Sequence, residues 1–445
     1  MAMVVKNNIG AKNTLNELDK NNKAAAKDLK KLASGMRINS AADDASGYSI
    51  SERMDVQIRG LDQDTANAQN GTSLLKTAEG AIASTVDILK TLKEKAINAA
   101  NDTNTDADRA TIQKEVDQAL DQIDDNANVT FNGQTLIDGS KNDRVIGKGT
   151  YTYLTNESFA DGTSNDTNLV DLESKTGGNI GIIPGDLVLV SYIKDGQTYT
   201  NLGDPSKGLI TVKDDTGFAE IFQWDPCADD IDIPHYSNDS KIGKDQFGED
   251  VYTIDGRSAI SYHAKNPGLD GQVSGLTICV MDSKGNPKGS TNAIINNFTE
   301  TIRAQDPSED NALVFQVGTK ANQSVKVGFT DMRATALGLK SSAGNTIQLT
   351  TQVAANAAIN AFDNAVTKAL DMQTKLGSIQ NRLGYTEANL TTASENVTAS
   401  KSTISDADMA KAMTAYTKDN VLSQAAQAML AQANQSSSSV LSLLQ

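Results

Sequence analysis

The side chains best suited to chemistry sit in one central stretch. Cys227, His235, His263 and Cys279 include both histidines and both cysteines of the chain. Thiolate and imidazole are zinc ligands, but a zinc site legible in sequence keeps its ligands in close pairs, as in C-x-x-C or H-E-x-x-H. These four are spaced too widely for that, and surface or core positions are the plainer reading. Asp225, Asp229, Asp230 and Asp232 could hold calcium, yet the stretch lacks the turn glycine and closing glutamate of a calcium loop. A solvated acidic turn fits them better. No Gly-rich phosphate loop is present, and with both histidines in one stretch no plausible Ser-His-Asp set forms. Cys227 and Cys279 can pair in an oxidising compartment or stay two isolated small apolar residues, the plainer reading. The expectation is no catalysis, no metal and no cofactor.

The flanks carry much stronger patterning. From Ala11 to Met36, alternating steps of four and three pick out Ala11, Leu15, Leu18, Asn22, Ala25, Leu29, Leu32 and Met36. This is a heptad seam with one polar interruption. A lone helix of this length is marginal in water, so it needs a partner. Gly35 offers a left-handed stop, and Ser40 to Asp43 a cap for the next helix. That helix runs to about Asn101, seamed by Leu75, Ala78, Ile82, Thr85, Leu89, Leu92, Ala96 and Ala99. A shorter one follows with Ile112, Val116, Ala119 and Ile123 on one face, then a loop or hairpin at Asn132-Gly133. Toward the other end a long helix starts near Thr346, seamed by Ala355, Ile359, Phe362, Val366, Ala369, Leu376, Leu383, Leu390 and Val397. Gln373, Gln380, Glu387 and Ser394 recur every seven residues within it, so part of that stripe is wet or sets register. The last segment carries Met409, Met413 and Tyr416, changes phase near Asn420, and resumes at Leu422, Ala426, Met429 and Ala433. It ends in an apolar run that includes Leu441 and Leu444. Apolar patterning at both extremities implies a joint burial site for the two.

Composition separates these flanks from the middle. All seven prolines lie between Pro184 and Pro307, and the only tryptophan, Trp224, lies there too. Proline is excluded from helix interiors and aromatics favour sheets, so helical ends should surround a β-rich insertion. Leu187 to Ile193 ahead of Asp195-Gly196, and Val251 to Ile254 ahead of Asp255-Gly256, read as strands entering hairpins. Thr277 to Val280 is another strand. Leu313 to Val317 and Val325 to Phe329 read as a hairpin returning the chain to the helical layer. The chain has 445 residues, a net charge of −16 and a pI near 4.6, which argue against nucleic acid and anionic membranes as partners. No run of about 18 apolar residues is present for a membrane span. The first residues lose apolar character too soon for a secretory h-region, so export by the general secretory signal is not expected.

Several motifs resemble, in order, those of bacterial flagellins. Leu32-Ala-Ser-Gly-Met-Arg-Ile-Asn-Ser-Ala-Ala-Asp-Asp-Ala-Ser-Gly47 is the most characteristic. Gln57-Ile-Arg-Gly-Leu61, Leu74-Leu-Lys-Thr-Ala-Glu-Gly80 and Phe131-Asn-Gly-Gln-Thr-Leu136 are similar to the rest of that family's N-terminal half. Leu376-Gly-Ser-Ile-Gln-Asn-Arg-Leu383, Ser405-Asp-Ala-Asp-Met-Ala410 and Ala428-Met-Leu-Ala-Gln-Ala-Asn434 resemble its C-terminal half. The resemblance implies a multidomain plan: a terminal helical domain from 1–44 and 403–445, and a helical bundle from 45–140 and 308–402 with a β-hairpin near 313–329. A variable β-rich outer domain would span 141–307. It implies a subunit of the extracellular flagellar filament, with coiled-coil ends around a central export channel. It also implies delivery as an unfolded chain by the flagellar type III export apparatus, with an export chaperone, a distal cap and hook-associated proteins as partners. A hook-filament junction protein or a flagellin-like surface adhesin is the alternative. Some flagellins carry a protease in the insertion; the missing His-Glu-x-x-His speaks against one here.

A surface that docks onto a different surface of the next copy grows as an open helix unless the rotation closes a ring. The assembly seams expected are Leu15, Leu18, Asn22, Ala25, Leu29 and Leu32 on the first arm. On the second they are Met409, Met413, Leu422, Met429, Leu441 and Leu444. Periodicity alone fits an ordinary intramolecular coiled coil as well; the resemblance favours assembly. Residues up to about 40 and after about 405 are expected to be disordered in the free subunit and to fold on assembly. Asn22 either fixes register between the arms or is merely tolerated. The family's pattern for an innate Toll-like receptor places Thr91 where arginine is usual and Lys95 where leucine is usual, while Glu115 fits. Recognition should therefore be weak, although Thr91 and Lys95 can equally serve packing.

Overall fold

The computed structural model describes residues 8–142, 149–163, 167–201, 208–224, 227–232, 240–245, 247–254, 256–257 and 259–443. Three helices open it: α1 (Ile9–Ser34), α2 (Ala45–Ala99) and α3 (Asp106–Ala127). Strands β1 (Thr130–Phe131), β2 (Gln134–Thr135), β3 (Tyr153–Asn156), β4 (Leu187–Lys194), β5 (Gln197–Thr200) and β6 (Ile210–Thr211) follow. After the short α4 (Cys227–Asp230) come β7 (Ile231–Asp232), β8 (Lys241–Lys244), β9 (Asp250–Tyr252), β10 (Ile260–Ala264) and β11 (Val273–Met281). Then come α5 (Gly289–Ile295), β12 (Thr299–Ile302), β13 (Leu313–Gln316) and β14 (Ser324–Val327), before the closing helices α6 (Gln352–Ser405) and α7 (Met409–Leu443). Helical ends thus surround a β-rich middle, as the proline distribution requires.

The chain forms two compact units. The first takes residues 1–69, 316–323 and 385–445, and the second takes 70–315 and 324–384. In the first, local chemistry sets where α1 begins and ends. The Asn8 side chain accepts from the Ala11 amide at its N-terminus. Gly35, with φ of 69°, turns left-handed and donates its amide to the Lys31 carbonyl, the conformation glycine adopts without penalty. The cap of α2 falls later than Ser40 to Asp43: the Asp44 carboxylate accepts from the Gly47 amide at 3.0 Å. Asp43 is held back instead by the Asn39 amide and the Ser40 hydroxyl. The change of phase near Asn420 is a change of face within the continuous α7, not a break.

In the second unit, Leu75, Ala78, Ile82, Thr85, Leu89, Leu92, Ala96 and Ala99 of α2 are all buried. Hydrogen bonds tie this helix to its neighbours: Arg109 Nε of α3 to the Ala99 carbonyl at 2.8 Å, Asn126 Nδ2 to Ser84 Oγ at 3.1 Å, and Gln380 Nε2 of α6 to Glu79 at 2.8 Å. The long C-terminal helix begins at Gln352 rather than near Thr346, because Ser341 to Asn345 closes a turn through Gly344 at φ 90°.

Two four-stranded sheets dominate the rest of this unit, with the two-stranded pairs β1-β2, β8-β9 and β13-β14 beside them. One has strand order β12-β3-β10-β7 and the other β11-β4-β5 with β6 also on β4. β4 and β5 form the expected hairpin, with Asp195 at φ 53° and Gly196 at φ 73° in the two left-handed turn positions. β9 departs from expectation: it pairs backward with β8 through a turn at Asp245 to Gly248, and Asp255 lies outside the described residues. The core here is aromatic. Phe222 and Tyr262 lie 4.4 Å apart, and Tyr192 packs against both Tyr199 and Trp224.

Candidate assembly surface

α1 and α7 pack along one another in opposite directions. Asn8 Nδ2 donates to the Ala433 carbonyl at one end. At the other the Arg37 amide bonds the Ser405 carbonyl, the Ala407 amide bonds the Gly35 carbonyl, and Met36 bridges Asp406. The less exposed residues of α1 follow Ala11, Thr14, Leu18, Asn21, Ala25, Asp28 and Leu32, three and four apart, with Ala24 and Lys31 beside them. On α7 they are Ala412, Ala415, Asp419, Ser423, Ala426, Leu430 and Ala433, with Tyr416 and Asn420 beside them. The inner edge of the pair is therefore made mostly of small and polar side chains.

Most of the large apolar side chains point away from it. Leu15 and Leu29 are 50% and 51% exposed, and Met36 is exposed beside them. On α7, Met409, Met413, Leu422 and Met429 are exposed, together with Val421, whose role the sequence did not signal. The expected seam thus splits into two edges. Leu18, Ala25 and Leu32 turn inward with the small residues, while Leu15, Leu29 and Met36 form a second stripe at seven-residue spacing. Asn22 lies on the outer stripe but still accepts from the Ser423 hydroxyl at 2.8 Å. Leu441 is described only in its backbone, and Leu444 lies outside the described residues.

Behind this pair, within the same unit, α2 and α6 are joined by polar side chains. Ser394 Oγ donates to Asp62 at 2.9 Å and Gln69 Nε2 to Glu387 at 2.7 Å. Lys401 pairs with Asp55, and Lys27 lies 3.1 Å from Asp43. These lysines, with the hydrogen bonds around them, hold the Asp55 and Asp43 carboxyls below the usual carboxylate range. Asp64, buried on α2 with Oδ2 lacking a hydrogen bond among the described residues, is pushed the other way by desolvation.

The chemically suggestive residues of the middle are engaged elsewhere. Asp230 accepts from the Tyr192 hydroxyl at 2.7 Å and from Lys194 Nζ at 2.5 Å. Asp229 lies 3.8 Å from Lys265, Asp225 lies outside the described residues, and the Asp232 side chain is not described. His263 stacks on Tyr153 at 5.1 Å, and His235 lies outside the described residues. Cys227 and Cys279 are free thiols, both pushed up by burial. At the receptor-pattern positions, Thr91 bonds back to the Asp87 carbonyl of its own helix. Lys95 Nζ reaches both oxygens of Glu115, at 2.8 and 2.9 Å.

The comparisons agree with this architecture. The family model for the bacterial flagellin N-terminal helical region matches residues 5–142, and that for the C-terminal helical region matches residues 359–444. A flagellin of Clostridium tyrobutyricum is 35% identical over 97% of this chain and 99% of its own. A flagellin of Bacillus subtilis is 30% identical over 99% and 100%, and polar flagellin B/D of Vibrio parahaemolyticus is 30% identical over the whole of both chains. Among solved structures, a flagellar hook-associated protein of Legionella pneumophila covers 78% of this chain and 97% of its own, with 16% identity and a TM-score of 0.33. A likeness that low does not weigh between filament and junction roles. Helical ends matching both flagellin helical regions, around a β-rich middle, define a structural subunit of a helical polymer. The chain belongs to the bacterial flagellins, the structural proteins that polymerise into the extracellular flagellar filament of motility. No described helix is long and apolar enough to cross a membrane.

Proposed function

We propose that the outward apolar stripes of α1 and α7 are the surfaces on which successive subunits stack. The observation that supports this is the inversion of the pair: small residues such as Ala25, Ser423 and Ala426 face inward, while Leu15, Leu29, Met413 and Met429 face solvent. Exposed leucine and methionine gain by burial at about 25 cal/mol per Å² of apolar area, and a neighbouring copy supplies the cover. In this reading 1–44 and 403–445 form the inner layer around an export channel, 45–140 and 308–402 surround it, and 141–307 face outward. The subunit performs no catalysis.

The α1–α7 pair buries little apolar area, so in the free subunit it opens into a disordered pair of arms that refold on assembly. Such arms suit passage through a type III export apparatus with a chaperone on the C-terminal segment, followed by delivery under a distal cap and beyond hook-associated proteins. Limited proteolysis of subunit and filament tests the reading. The arms should be cut first in the subunit and protected in the filament; equal resistance in both states would count against it. Toll-like receptor recognition is weak, since Thr91 offers no large anchor and Lys95 occupies the carboxylate of Glu115.

A further inference from the structure

Lys368 of α6 and Glu300 of β12 meet out of water. Nζ lies 2.8 Å from Oε2, and the two side chains are only 5% and 4% exposed. Other ion pairs are wetter: Lys288 beside Asp186 is 22% exposed, and Lys194 beside Asp230 is 16% exposed. Both Glu300 oxygens are buried without a well-aligned hydrogen bond among the described residues. The Gln272 amide, oriented with its oxygen toward Lys368, accepts from Nζ at 2.9 Å while its nitrogen donates to the Thr335 carbonyl at 3.3 Å. Arg303, paired with Asp371 at 2.5 Å, lies close by. Burial pushes the Lys368 amine down, Glu300 pulls it up, and Arg303 pushes it down again. Ionic attraction is a weak reason to bury such a pair, because desolvating two charges offsets most of it.

We propose that Lys368 and Glu300 are joined by an intramolecular isopeptide bond. The lysine ammonium passes one proton to the glutamate carboxylate. The freed lone pair on Nζ attacks the carboxyl carbon and the C–N bond forms. The tetrahedral adduct then loses one hydroxyl, with a proton from the nitrogen, as one water, leaving a neutral amide. Nothing is oxidised or reduced and no co-reactant is consumed. Holding amine and acid in contact turns a bimolecular condensation into a unimolecular one. The dry surroundings exclude the water that would reverse it and remove the solvation that favours separated ions. Gln272 keeps the amine aimed before the reaction and accepts the amide N–H after it. The bond staples the long helix to the sheet, a use suited to a subunit under mechanical load.

Tryptic digestion of the denatured full-length protein, read by mass spectrometry, tests this. The expected product joins peptide 289–303 to peptide 341–375, uncut at Lys368 and lighter than the sum of the two by one water. Lys368→Met should release 289–303 as a linear peptide. Full recovery of 289–303, 341–368 and 369–375 as separate linear peptides from the wild-type chain overturns the proposal, with no variant needing to fold. A joined species that persists in Lys368→Met overturns it as well.

Discussion

The Ser423 hydroxyl of α7 donates to the Asn22 side chain of α1 at 2.8 Å, a specific polar contact across a pair whose inner edge is mostly small and polar. One polar pair in a heptad seam fixes which turn faces which, at some expense in stability. Because the arms fold only on assembly, Asn22→Leu and Ser423→Ala should both leave the thermal midpoint of the free subunit unchanged, while Ser423→Ala should cost the filament about 0.5–1.5 kcal/mol per subunit at most. Filaments of Asn22→Leu should lose uniform order in electron micrographs. Unchanged order would show that Asn22 is only tolerated.

The exposed leucines separate assembly from folding. Leu15→Glu and Leu29→Glu alter side chains already facing water, so the thermal midpoint of the subunit should move by no more than about 0.5 kcal/mol equivalent. Polymerisation onto seeds, followed by light scattering, should be lost. Leu89→Ala is the control, since it opens the packed side of α2 and should cost about 2–5 kcal/mol of subunit stability. Normal filament growth by either Glu variant would remove these stripes from the interface.

Acid should loosen α1 before it melts the core. Asp43 beside Lys27 and Asp55 beside Lys401 are held below their usual value of 3.8. Carboxyls lowered by folding contribute stability that is present above 3.8 and lost as pH falls through the lower folded value. Both are only partly buried, so added salt should still blunt the effect. In the filament, where the arms are folded, hydrogen exchange over residues 9–34 should accelerate below pH 3.8 in the wild type, with a smaller change in Asp43→Asn with Asp55→Asn. An identical acid response in the double variant would rule these pairs out.

Receptor recognition can be probed by gain of function. Thr91→Arg with Lys95→Leu supplies two large anchors and frees the Glu115 carboxylate that Lys95 now holds at 2.8 Å. A Toll-like receptor reporter assay should show a higher response than wild type. No change in signal would mean that Thr91 and Lys95 serve only packing.

Where period and proline agree, sequence sufficed. The stripe from Leu75 to Ala99 is buried throughout, because a 3.6-residue repeat leaves one face for the core. Gln380, Glu387 and Ser394 bond to α2 as a polar stripe would. The α1 seam was only half legible. Steps of four and three starting from Ala11 fit its leucines, but steps of three and four fit the side that meets α7. Alanine, serine and asparagine carry too little hydropathy to reveal the second register. The insertion was legible as β-rich, and β4 with β5 was plain from Asp195-Gly196. The backward pairing of β9 with β8 was not, because its turn at Asp245 to Gly248 has no strong two-residue signature. The Lys368–Glu300 contact was out of reach of sequence, since it is set by tertiary approach.

The opposed run of α1 and α7 has a mechanical corollary. Asn8 and Ala433 sit at the same end of the pair, so a pull that draws them apart loads one turn at a time, like a zip. A parallel pair pulled from opposite ends would have to shear its whole length at once. The clasp therefore yields to small forces when peeled from its open end, yet resists sliding along its axis.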